Sequence, residues 1–218
     1  MKQDFVSADL TVGQLNAIVK KLGGKDAAME FLRGHYTVQP WWVENDVIYF
    51  NVTSDGKTGE QWVSQFESKG IVVPELTKMR LLFNDINHVK EKIYKIAVIK
   101  GEYFSDQDRI MTKIVKEAIK RGFEIPNPEI ACFIREKFSD EQIRMMGFGQ
   151  ANLIGQVYGL GIVTMHKKLS DFHSPFGISE GVLCTYSSTT GSSYLESNWF
   201  EPTDGWSSNT GFAFVVSK

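Results

Sequence analysis

From Leu169 to Ser217 the chain has no lysine and no arginine, although it carries 24 of them. The same stretch holds five acids: Asp171, Glu180, Glu196, Glu201 and Asp204. Its apolar residues follow the strand period of two, so that Phe212, Phe214 and Val216 fall on one face. Upstream, apolar residues recur at helical spacing, among 23 bases and 21 acids. One chain thus carries two patterns with two periods. The switch predicts an α+β protein. A helix-rich scaffold with a few strands occupies 1–150, and a small antiparallel β region occupies 151–218. The glycine-dense stretch from Gly147 to Gly161 is the expected hinge.

Helix starts are legible from capping boxes at Thr11-Val12-Gly13-Gln14, Thr58 to Gln61 and Ser139 to Gln142. The first opens a helical hairpin over 11–34, stopped by Gly23-Gly24 and Gly34. Pro74 suits the first turn of a helix whose buried stripe is expected to be Leu76, Met79, Leu82 and Phe83. Ile110, Met111, Ile114, Val115, Ala118 and Ile119 predict the strongest amphipathic helix, between Asp106 and Arg121. Strands are expected at 47–52, 93–99, 161–166, 181–186, 194–199 and 211–217.

Charge and size limit the function classes. A net charge of −2 argues against a nucleic-acid coat protein but leaves room for a local basic face. No apolar run follows Met1 and none approaches a membrane span. Together with two cysteines 52 positions apart, Cys132 and Cys184, this predicts a reduced, cytoplasmic protein. No metal and no cofactor are expected.

Several segments resemble a group of uncharacterised bacterial proteins found mainly in metagenome-derived genomes. The matching text is Val19-Lys20-Lys21-Leu22-Gly23-Gly24, Phe31-Leu32-Arg33-Gly34, Ile48-Tyr49-Phe50, Thr53-Ser54-Asp55-Gly56, Ile134-Arg135-Glu136-Lys137-Phe138 and the ending Gly211 to Val216. That group has no established activity, so the resemblance implies relationship and not function. The segment after His166 is longer and richer in Ser and Thr than the group's pattern. Separately, Trp199, Gly205-Trp206, Asn209 and Gly211-Phe212 resemble the ending of ligand-binding domains with a C-type-lectin fold, some of them diversified targets of retroelements. That resemblance implies a ligand-binding C-terminal surface.

Motifs for catalysis fare poorly. Gly177-Ile178-Ser179-Glu180-Gly181 fits G-x-S-x-G, but a nucleophile elbow needs a strand before the serine and a helix after it. Here a loop precedes and an apolar strand follows. His166, Asp171 and His173 offer metal-ligand chemistry without helical H-x-x-x-H spacing or a cysteine pair. Cys184 with either histidine would make a thiol nucleophile only if tertiary structure brought them together. The hairpin at 11–34 lacks the base-reading side chains a DNA-recognition helix needs between Lys25 and Arg33. These residues keep a hydrolase or metal-dependent enzyme as one alternative.

Two surfaces remain. Arg109, Lys113, Lys116 and Lys120 are spaced to share one helix face with Arg121 nearby, so a nucleic-acid-binding alternative rests on them. The favoured surface lies at the C-terminal end. Tyr186, Tyr194, Asn198, Trp199, Trp206 and Asn209, set among serines, have the composition of a paratope. The sequence therefore predicts a non-enzymatic protein that recognises a protein or a polar ligand there.

Overall fold

The computed structural model describes residues 10–34, 39–83, 90–149, 161–165, 180–187, 191–200 and 203–217. Its contacts divide the chain into Met1–Pro40 and Trp41–Lys218. The first unit holds α1 (Val12–Lys21) and α2 (Lys25–Leu32), with the Thr11/Gln14 capping box formed and no residue of either helix buried.

In the second unit β1 (Trp42–Glu44) and β2 (Val47–Thr53) form a hairpin. Asn45 and Asp46 both take positive φ, 48° and 61°, the geometry of a two-residue I′ turn. Then follow α3 (Gly59–Ser68), α4 (Glu75–Phe83), β3 (Ile93–Lys100), α5 (Met111–Lys120), β4 (Phe123–Glu124), α6 (Glu129–Lys137) and α7 (Asp140–Met145). The last four strands are β5 (Ile162–Thr164), β6 (Glu180–Ser187), β7 (Ser193–Phe200) and β8 (Gly211–Val216). The capping boxes at Thr58 and Ser139 are formed as the sequence predicts. The fold is α+β.

The eight strands among the described residues belong to one sheet, ordered β1-β2-β3-β8-β5-β6-β7, with β4 pairing the end of β8. Every pair is antiparallel except β5 with β8. Strands from both sides of residue 150 share this sheet. The last strand, β8, inserts beside β3 and joins the two halves at the centre. An all-apolar strand such as Gly211–Val216 cannot sit at a solvated edge without exposing phenylalanines. Between β3 and β5 it buries both faces, and Phe212, Ala213 and Phe214 are fully inside.

Register assigns the faces. Val43, Ile48, Val98, Ala213, Thr164, Leu183 and Ser197 form one row across the sheet. Over that face pack Trp62 and Phe66 of α3, Leu81 of α4, Ile130 and Ile134 of α6, and Ile143 of α7. Gly59 lets α3 touch α4: a Cβ there would lie 2.0 Å from the Leu81 carbonyl oxygen. On the opposite face the row is Glu44, Val47, Ile99, Phe212, Val163, Cys184 and Glu196. Here α5 supplies Ile114 and Ala118.

Two helices differ from expectation. α4 buries Thr77, Arg80 and Leu81, while Leu82 is 45% exposed. Its inner stripe is rotated because the Thr77 hydroxyl caps the open edge of β7, accepting the Ser197 N–H at 2.8 Å. Val72 covers the same edge through an isolated parallel bridge to Tyr194. The helix expected from Asp106 begins only at Met111, with Ile110 extended as its N-cap. Arg109 accounts for the delay, because its backbone is tied to Trp206.

Candidate functional site

Arg109 is 8% exposed and lies outside the helix. Its guanidinium donates to the carbonyl oxygens of Phe104 at 2.8 Å, Gly101 at 2.9 Å and Trp206 at 3.2 Å, and to Asp106 at 3.0 Å. The Arg109 carbonyl accepts the Trp206 N–H instead of a helical one, so the first helical acceptor is the Ile110 carbonyl. Arg109 is thus a buried clasp, and the expectation that it contacts phosphate is corrected.

The same clasp relocates the C-terminal aromatics. Trp206 N–H donates to the Arg109 carbonyl at 2.9 Å, and Gly205 bridges Ile110. Trp206 is 6% exposed and meets Phe212 edge-on, at 5.7 Å between ring centroids. It belongs to the core, not to a recognition loop. Asn209 is half-buried, and its carbonyl accepts the Gly149 N–H at 3.2 Å. Asn198 and Trp199 sit on β7, but their side chains lie outside the described residues, as do His166, Asp171 and His173 entirely. Tyr186 and Tyr194 do meet. Their rings stack at 5.0 Å and 7° on the face that α5 covers in part, and the Tyr186 hydroxyl donates to Glu196. Burial first, and that hydrogen bond second, push the Tyr186 phenol well above its ordinary value. Cys184 is fully buried on this face and Cys132 on the other. Among the described residues no group of three His, Cys, Asp or Glu side chains could hold a metal.

The remaining bases of the expected basic face are partly neutralised. Lys113 pairs with Asp108 at 2.6 Å, Arg121 with Glu117 at 2.8 Å and Lys120 with Glu117 at 3.8 Å. Hydrogen bonds from Lys113 and Arg121 hold Asp108 and Glu117 below their ordinary carboxylate values. Among the described residues, Lys116 has no carboxylate within ion-pair distance. With Tyr103, Lys113, Lys116 and Lys120 line a shallow cleft of ≈ 650 Å³ along α5.

That cleft continues into a surface the sequence did not announce. The Arg121 guanidinium lies 4.2 Å from the Tyr103 ring centre. Across the sheet face, Trp42 stacks on Tyr49 at 5.8 Å and 22°. Lys95 Nζ lies over both rings, 4.8 Å from Tyr49 and 5.5 Å from Trp42. Cross-strand register produces the cluster: Trp42 opposes Tyr49, and Lys95 lies two positions along β3 from Ala97, the residue opposing Tyr49. Tyr49 packs edge-on against Phe123 at 6.4 Å. Burial, reinforced by Glu44 and opposed by Arg121, raises the Tyr49 phenol above its ordinary value. Trp42 remains 40% exposed, Tyr103 52% and Ile93 64%. Alternation in Val47–Thr53 carried a signal for Tyr49. The three-residue β1 carried none that would place Trp42 beside it.

No protein-family model matches the chain, and neither a curated protein nor a solved structure does so. Among the described residues no helix is long and apolar enough to cross a membrane.

Proposed function

We propose that this is a cytoplasmic, non-enzymatic binding protein whose recognition surface is the α5-bearing face of the sheet, along a strip from Trp42 through Tyr49 and Lys95 to Arg121 and Tyr103. The observation that carries the reading is the exposed Trp42/Tyr49 stack with Lys95 above both rings. Large rigid rings with a cation beside them give contact area at low cost in side-chain entropy, and they are a poor choice for an idle surface. Two free, buried cysteines support a reducing compartment. A second reading keeps recognition at the C-terminal strands, with a protein or polar ligand as partner. It is favoured by the Tyr186/Tyr194 stack on the same face.

Lysine acetylation read by mass spectrometry tests the first reading without knowing the ligand. The full chain would be labelled in buffer and in concentrated cell extract. Lys95 and Lys116 are expected to become protected in extract, and Trp42→Ala to abolish the protection. Unchanged labelling at Lys95 would refute the assignment. Burial of Tyr194 alone, read by tyrosine iodination, would move it to the C-terminal strands.

A further inference from the structure

Two features of the strip narrow its ligand. Aromatic rings and cations alternate along it, with Trp42 and Tyr49 under Lys95 and Tyr103 under Arg121. The cleft beside Tyr103 adds Lys116, which has no carboxylate partner among the described residues. A ligand complementary to this order has planar faces and negative charges in alternation along its own length. Neutral sugars would offer Lys95 and Arg121 hydroxyl acceptors but no negative charge. An acidic peptide supplies charge without a regular series of planar faces. A nucleic-acid duplex supplies the phosphates but hides the faces of its bases in the stack. Unpaired strands expose both.

We propose that the strip binds single-stranded nucleic acid, its bases stacking on Trp42 and Tyr103 and its phosphates meeting Lys95 and Lys116. This rests on the reading of the α5-bearing face as the recognition surface. The acids on the strip set the expected strength. Glu117 holds Arg121 and the Tyr103 hydroxyl, Asp108 holds Lys113, and Glu44 lies at the Trp42 end. With the whole chain at net −2, binding is modest and salt-sensitive. Two phosphate contacts correspond to a log–log salt slope of about −1.4.

Fluorescence anisotropy of a labelled oligothymidylate tests this with the full chain, against a duplex of equal length. The single strand is expected to bind more tightly than the duplex, with the slope given above. Trp42→Ala is expected to weaken it about tenfold, the worth of roughly one stacked base. Lys95→Gln, which keeps the packing, is expected to reduce the slope by about 0.7. No binding of the single strand overturns the proposal, as does equal binding of strand and duplex that survives Trp42→Ala. Protection of Lys95 in extract without oligonucleotide binding removes nucleic acid and leaves the surface standing. Absence of both removes the surface too.

Discussion

Replacing Arg109 by alanine removes a guanidinium that satisfies three main-chain carbonyls from two distant segments, Gly101 and Phe104 on one side and Trp206 on the other. All three residues are buried. A hydrogen bond from a charged donor contributes about 1.5–3 kcal/mol, and a buried carbonyl left without a donor costs about 1–3 kcal/mol. These are not additive, and the wild type already bears the desolvation of the guanidinium. A net loss of about 3–4 kcal/mol follows. Asp106, whose side chain is 94% exposed, contributes little, so Asp106→Ala stays within about 0.5 kcal/mol. Arg109→Lys keeps the charge but loses the planar fork that spans the three carbonyls, and falls between. Urea unfolding followed by tryptophan fluorescence reads the difference. At a slope of about 2–3 kcal/mol per molar, the alanine variant loses about 1–2 M at the midpoint. A loss of less than about 1 kcal/mol would refute the clasp and return Arg109 to the surface role that its spacing suggests.

Two further outcomes follow from the packing. Gly59→Ala would stabilise an ordinary helix start by about 1 kcal/mol through propensity, yet here its Cβ meets the Leu81 carbonyl at 2.0 Å, so destabilisation by about 2 kcal/mol or more is expected in the same unfolding assay. An increase in stability would show that α3 and α4 do not touch there. Cys132 and Cys184 are both buried, and burial, reinforced by Glu129 and Glu136, pushes the Cys132 thiol well above its ordinary value. Ellman's reagent is expected to react with neither thiol in the native protein and with both after denaturation. Rapid native labelling would revive a thiol-based chemistry.

Local chemistry made the helices legible. Capping requires only residues three apart, so Thr11/Gln14, Thr58/Gln61 and Ser139/Gln142 could be read directly and are formed. Alternation likewise identified the shared face of Phe212 and Phe214. The site was far less legible. Tyr and Trp among serines look alike whether they form a paratope or fill a core, and the turn carrying Trp206 is drawn inward by a bond from Arg109, nearly a hundred residues away. Basic spacing on this stretch is visible, but only the folded chain shows that Asp108 and Glu117, on the same stretch, pair with Lys113 and Arg121 and neutralise much of it.

The sequence by itself determined the element types, most of their ends and the α+β class, because periodicity and capping act over a few residues. Tertiary structure alone decided that β8 lies between β3 and β5, that Arg109 is interior, and that Trp42, Tyr49, Lys95, Arg121 and Tyr103 share a surface. Each depends on strand order and register between segments far apart in the chain. A shift of one residue in register sends every side chain of a strand to the opposite face, so no local pattern can specify such a neighbourhood.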